Sequence, residues 1–582
     1  MPDALAPPRS PAERRRRVRR GWIAAFTPRL AWALVLPALL GAGCRKPSVP
    51  SLTVEPLPAP ESKGPLAPQL IRLADGTLLA SWLEGRPGGG YSLRMSSRWD
   101  RDWSSPQIVA GDAAMAMFAT DLPGVAEAPG GTLVAHWEVT VAGADPYATE
   151  IHLAISTDHG ATWSGPLVPY RGGTPAQHGF VSTFPVGGAL GLVWLDGGRQ
   201  RYVPASSSAS PSAPRGQWLG AMGLQFTTLT PDGTLGTQRT IDPITCAGCP
   251  TAAALTTRGP IVVYRGRAAP PGADPARVRD DEPAVRDIRL ARLEGRGWAR
   301  PRLVHPDGWV ADGCPDNGPA VAADGNRVVV AWWTGAGGSR RVNVGFSVDA
   351  GDHFAEPTSV DHGNPEGQVT IALARYGAVV GWLENGETWA RWVGIGGLRG
   401  PAVSLGPAPH HSRLPRWIGE AEGAVAAWME RGPAGKNVLR MARLAAIFSA
   451  SWNPSLGCCA PPAVLETAPV PPTSATAPAI SAAGLQQGRL LFGSYGCALC
   501  HGESGAGDGR LAHSLPTRPR DLRDPAAFRQ GTSVAAISSS IARGVPGTSM
   551  PAHGFIPPAD RELLASFILS FRASPSSDGK RP

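Results

Sequence analysis

The chain has 582 residues, with 55 lysines and arginines against 46 aspartates and glutamates, and 42% of it is hydrophobic. That length holds two or three domains, and the apolar content excludes a chain too polar to build a core. The net charge of +9 is no nucleic-acid footprint: residues 1–44 carry eight arginines against Asp3 and Glu13, leaving about +3 elsewhere, so no nucleic-acid partner is expected.

A basic run, Arg14 to Arg17 with Arg19 and Arg20, precedes an apolar stretch from Leu30 to Leu40 and then Gly41-Ala42-Gly43-Cys44. This is the three-part plan of an export leader, and the apolar part, interrupted by Pro37, is too short for a spanning helix. Small residues ahead of a cysteine resemble a bacterial lipoprotein signal. The resemblance implies removal of residues 1–43, a lipid on Cys44 and membrane attachment through that anchor. Gly41 stands where the family prefers leucine, with Leu40 one place back. Arg45, by the family's sorting habit, implies the outer membrane, so the expected location is the periplasmic face of a bacterial membrane. Residues 44–63 read as a linker.

Residues 64–456 repeat a glycine followed by an apolar run ending in an aromatic. Copies end at Trp82, Trp137, Trp194, Tyr264, Trp332, Trp382 and Trp428, spaced 46 to 70 residues apart. Each is followed by a second alternating strand, such as Ile151–Ser156 or Val342–Ser347, so each unit supplies several short antiparallel strands. All-strand units of this length read as propeller blades: seven, or six if the terminal copies share one.

Two units carry a further pattern, Ser156-Thr157-Asp158-His159-Gly160-Ala161-Thr162-Trp163 and Ser347-Val348-Asp349-Ala350-Gly351-Asp352-His353-Phe354. Serine and aspartate bond a turn backbone, glycine takes positive φ, and the aromatic packs back between blades. Both resemble the Asp-box of the sialidase superfamily. They imply a sialidase-like propeller, with Ser156, Asp158, Gly160, Trp163, Ser347, Asp349, Gly351 and Phe354 as structural residues. The opening segment Leu66-Ala67-Pro68 resembles the blade where that family sets a substrate-clamping arginine. Leu66 occupies that position, whereas Glu84 and Arg86 match the pattern. Without that guanidinium sialidase chemistry is not expected. An exo-sialidase or other propeller enzyme coupled to the C-terminal module is the alternative.

The middle units hold Tyr264-Arg265-Gly266-Arg267, then Asp280, Asp281, Glu282, Arg286 and Asp287. Arg265, Arg286 and Asp287 are candidates for a site at the ring mouth, taking a polar or carbohydrate ligand or a protein. The same residues fit solvated ion pairs equally well. Cys246, Cys249, Cys314, Cys458 and Cys459 are odd in number; disulfides are expected, plausibly Cys314 to Cys246 or Cys249. A metal at these cysteines or at His410-His411 is a weaker alternative.

Residues 457–480 are a second linker, with six prolines between Ala460 and Ala479. Such a semi-extended tether keeps the following module near the propeller without fixing it there.

Cys497-Ala498-Leu499-Cys500-His501 has the spacing that attaches a c-type haem, two thiols for the porphyrin and an imidazole for the iron. A zinc half-site or a redox CxxC would need a second CxxC or histidine pair after the motif or a flanking βαβ pattern, and its surroundings supply neither. Met550, in the loop Gly547-Thr548-Ser549-Met550-Pro551, is a candidate second axial ligand. Leu491, Phe492 and Tyr495 are helically spaced ahead of the motif. Leu563, Leu564, Phe567, Ile568 and Phe571 form an apolar stripe near the end. Residues 481–573 resemble the class I cytochrome c domain, followed by a disordered tail at 574–582. The resemblance implies a small all-α fold, one covalent haem on Cys497 and Cys500, His501 and Met550 as axial ligands of the iron, and a redox protein partner.

Overall fold

The computed structural model describes residues 49–572 except 118–120, 143–147, 172–174, 205–215, 270–271, 280–281, 410–414, 433–434, 449–480, 510–511, 513–514, 516, 551–552, 554–555 and 557. Cys44, Asp280, Asp281, His410, His411, Cys458 and Cys459 therefore lie outside the described residues, as do the leader and the proline-rich linker.

Seven antiparallel sheets follow one another along the chain, from Leu66–Asp112 to Arg416–Ile447, as the blades of a β-propeller. Each aromatic-ended phrase is the second strand of its blade, as in Leu78–Gly85 and Gly377–Glu384. These strands are buried along nearly their whole length because blades cover both faces, which is why they read as continuous apolar runs rather than alternating ones. In three of them the tryptophan is anchored two residues on, where the side chain returns to the same face. Trp82 Nε1 donates to Glu84 Oε1 at 2.9 Å, and Trp382 Nε1 to Glu384 Oε2 at 2.8 Å.

The ring closes through Ser51–Leu57, which pairs antiparallel with Asn437–Ile447 and completes the last blade. This corrects the linker reading over residues 51–57. The strand is an exposed edge in which only Leu52 is buried, so it lacks the apolar run that marks the others.

The Asp-boxes form the expected turns. Ser156 Oγ accepts from Gly160 N–H at 2.8 Å and donates to Asp158 Oδ1, which also accepts from Thr162 N–H. In the second box Ser347 Oγ accepts from Gly351 N–H at 2.9 Å, and Asp349 takes the His353 N–H and ring. Gly160 and Gly351 both sit near φ +90°, where a side chain would be strained. Trp163 and Phe354 pack against core clusters of the blades.

Among the described residues the C-terminal region has four α-helices: α1 (Ala482–Ser494), α2 (Cys497–His501), α3 (Val534–Arg543) and α4 (Pro558–Ser570). Ser481 caps α1 and Ser533 caps α3 through side-chain bonds to the third residue along. Helices α1 and α4 cross closely at Gly488, where a Cβ would come within 2.3 Å of the Leu563 carbonyl. Leu491, Phe492, Leu564, Phe567 and Ile568 are buried together, and the Phe492 and Phe567 rings meet edge-on at 5.5 Å. No helix among the described residues is long and apolar enough to cross a membrane.

Candidate functional site

Helix α2 is five residues long and starts at Gly496, whose φ of +76° turns the chain out of α1. It presents Cys497, Cys500 and His501 to a cleft of about 1180 Å³, counting its open mouth. Leu515, Leu522, Phe528, Ile537, Ile541 and Ile568 supply apolar lining. Behind α2 the glycine-rich stretch folds back in turns: Gly507 N–H donates to the His501 carbonyl and Gly509 N–H to that of Cys500.

Met550 reaches the same cleft from the loop between α3 and α4. Thr548 fixes that loop, its hydroxyl donating to the Val545 carbonyl at 2.7 Å and accepting from Met550 N–H. His553, which sequence reasoning passed over, lines the cleft as well, its backbone N–H held by the Ile541 carbonyl. The only signal in the sequence was a histidine three residues after the methionine.

Burial sets the protonation of these groups. It pushes the Cys497 thiol up to about 12, with Cys500 adding to it, and the Cys500 thiol up to about 12, with Asp349 adding. It lowers the His501 pKa, opposed by the Arg520 backbone, and lowers that of His553 to about 4, with His501 contributing. Both imidazoles are thus neutral near pH 7, as metal ligands must be. His501 Nδ1 is buried with no hydrogen-bond partner. Two thiols, a thioether and neutral imidazoles around an apolar cleft fit a covalently held haem.

The sequence of this region matches the cytochrome c family model over residues 485–572. Residues 485–572 are a cytochrome c domain. Such a domain implies a c-type haem and a redox partner. A search of curated proteins finds no match to the chain. Among solved structures, similar chains include an ulvan lyase described as a new polysaccharide lyase family, at 12% identity and TM-score 0.36, covering 58% of this chain and 80% of that one. An α-L-arabinofuranosidase from Fusarium graminearum is 16% identical with TM-score 0.33, covering 62% and 98%. A Trypanosoma rangeli sialidase is 12% identical with TM-score 0.33, covering 59% and 56%.

The cytochrome domain packs against the propeller, where the tether reading expects it to be near but not fixed. Leu499 of α2 is buried in the propeller cluster of Val348, Phe346 and Ile395. A Cβ on Gly496 would lie 2.5 Å from Val348 Cγ1 and 3.0 Å from Ile395 Cδ1. Val348 also lines the cleft and belongs to the second Asp-box, so the turn that identifies the fold is where the helical domain rests.

The candidates at the ring mouth are buried and bonded within the propeller. Arg265 is 1% exposed and donates to the carbonyls of Asn317, Arg286 and Trp333 at 2.7–2.8 Å, under the Trp309 ring. Arg286 is fully buried, and Asp287 accepts from Gly308 and Trp309 N–H. Charge at the end of a strand reads in sequence as exposed; here it ties the loops between blades together. Glu84 is likewise held by Trp82, Lys63 N–H and Arg94 at 2.8–2.9 Å, and Glu384 repeats its bonds to tryptophan and backbone in a distant blade. Arg86 follows at the exposed end of the same hairpin.

A second polar cluster was missed. Asp121 and Glu138 are buried, and their carboxyl groups act on each other. Burial raises Asp121 to about 7, and burial with the Asp121 charge raises Glu138 well above the carboxylate range. His136 is lowered to about 4 by burial and by Arg416, which donates to Gln69 Oε1 at 2.8 Å. Arg416 also lines a cavity with Thr251, Gln368, Thr370 and Trp417.

Proposed function

We propose that the chain is an exported electron-transfer protein whose cytochrome domain carries one haem, bonded covalently to Cys497 and Cys500. His501 and Met550 are its axial ligands. The observation that carries this reading is the convergence of those four side chains on one apolar cleft. When bound, the haem supplies reversible one-electron chemistry; histidine and thioether ligation raises its potential above that of a bis-histidine site. The apolar lining excludes water, and the neutral thiols and imidazole are ready to bond without a buried charge to neutralise.

The propeller serves as a docking platform for a redox protein or for a polar or carbohydrate ligand. Support comes from the packing of Leu499 on Val348 and Ile395, which seats the haem-bearing helix directly on a blade. Propeller hydrolysis is not part of the proposal, because Leu66 stands in place of the clamping arginine and Glu84 is committed to Trp82. The leader supports export as a lipoprotein anchored through Cys44 on the periplasmic side, with the outer membrane favoured.

The test is expression with a haem-maturation system. Wild type should hold haem that resists acid acetone, and Cys497→Ala with Cys500→Ala should lose it. Haem extracted completely from wild type would overturn the covalent assignment. Sialic acid release by the purified protein, abolished in Arg86→Ala, would overturn the non-hydrolytic reading of the propeller.

A further inference from the structure

Two loops that join neighbouring blades bring three thiols together far from the haem motif in sequence. Cys246 and Cys249 flank a turn at Gly248, φ +73°, between the strands Arg239–Thr245 and Ala252–Thr256. Cys314 comes from the next inter-blade loop, ahead of the strand Ala320–Asp324. The loops touch: a Cβ on Gly318 would lie 2.0 Å from the Pro250 carbonyl. The three sulfurs stand 3.4, 3.4 and 3.3 Å apart, and Cys246 and Cys249 are each 1% exposed.

We propose that Cys246, Cys249 and Cys314 form a three-thiolate site for a soft monovalent cation, Cu(I). The nearly equilateral triangle places its centre about 2.0 Å from each sulfur. A metal–thiolate bond is about 2.3 Å, so an ion enters the sulfur plane once each sulfur moves outward by about 0.3 Å.

Two further features would offset negative charge on the sulfurs once an ion displaces their protons. Asp316 N–H donates to Cys314 Sγ at 3.4 Å, and the backbone of Asn317 is a donor to Cys249. The guanidinium of Arg286 acts on Cys246 and that of Arg265 on Cys249, placing positive charge beside the sulfurs. Binding releases the thiol protons to solvent and changes no oxidation state.

The donor set selects the ion. Among the described residues no histidine or carboxylate joins the three sulfurs within 4.8 Å. Structural zinc takes four ligands, whereas soft thiolates suit Cu(I), which accepts three. A disulfide from Cys314 to Cys246 or Cys249 would instead strand the other of these two as a buried thiol. The site would clamp two adjacent inter-blade loops, a role that the haem does not fill.

The experiment uses the full-length haem-loaded protein in a Cys458→Ser/Cys459→Ser background, purified anaerobically and titrated with Cu(I) against bathocuproine disulfonate. One equivalent should bind, with X-ray absorption showing three sulfur neighbours. Cys314→Ser should weaken binding at least 100-fold while leaving the haem spectrum unchanged. Cu(I) should also raise the melting temperature of the parent protein reversibly, a reading that survives if the serine variant does not fold. A disulfide between any two of the three in protein exported with copper supplied, preferential one-to-one binding of zinc, or Cu(I) binding unaffected by Cys314→Ser would each overturn the proposal.

Discussion

Gly496 rests against Val348: a methyl group added to the glycine would come within 2.5 Å of the valine Cγ1. The contact couples the start of the CxxCH helix to the second Asp-box turn of the propeller. Gly496→Ala meets both that clash and a positive φ that alanine rarely adopts. It should separate one cooperative unfolding transition into two, with the cytochrome domain melting first. Calorimetry alongside the Soret band reads both events. A single transition at the wild-type temperature would show that the contact carries no stability.

The two Asp-boxes, alike as turns, should behave differently towards the haem. Burial would raise Asp349, but bonds from the His353 ring and N–H and from Ser347 hold it below the usual carboxylate value, so it is charged. Its charge acts on Cys500 and His553. Asp349→Ala should cost about 1–3 kcal/mol for the unpaired turn donors. It should also raise the haem potential, since a nearby negative charge favours the ferric state. Asp158 makes the same turn elsewhere, so Asp158→Ala should leave the potential unchanged. Equal potentials in redox titrations of the two variants would sink the distinction.

Met550 and His553 lie three residues apart on one loop, both facing the cleft. Met550→Ala should remove the near-infrared sulfur-to-iron band and lower the potential. Because His553 is neutral at pH 7, it can take the vacated position and keep the iron low-spin. Met550→Ala with His553→Ala should then become high-spin, whereas His553→Ala alone should retain the band. Absence of the band from wild type, with its appearance in His553→Ala, would reverse the two roles.

What the sequence carried was periodic or strictly spaced. The aromatic-ended runs gave the seven blades because a strand covered on both faces has no polar alternation, and Cys497 to His501 gave the haem motif because its chemistry needs that spacing. Residues whose role depends on distant partners were illegible. Ser51–Leu57 pairs with Asn437–Ile447 across nearly the whole chain. Leu499 reads as a filler inside the motif, yet its partners Val348 and Ile395 are propeller residues. Arg265 reads as a surface charge until its three carbonyl acceptors are seen. Its replacement by alanine should therefore destabilise the propeller strongly, by several kcal/mol on the scale of buried charged groups stripped of partners; a melting temperature within a degree of wild type would contradict this.

The last prediction concerns the carboxyl pair. Asp121 Oδ1 accepts from Phe180 N–H at 2.7 Å, and burial raises its pKa from 3.8 to about 7. A carboxyl whose folded pKa is raised holds its proton more tightly in the folded state. Its contribution is complete below the unfolded pKa near 4 and is lost as pH rises through about 7. Asp121→Asn keeps the shape and cannot ionise. The melting temperature of this variant should therefore gain on wild type as pH rises from about 4 to about 7, then run parallel to it. His136, depressed to about 4, works in the opposite sense, losing stability as pH falls. It is present in both proteins, so its effect cancels in the difference. Parallel melting curves across that window would show that Asp121 ionises in the fold as it does in water.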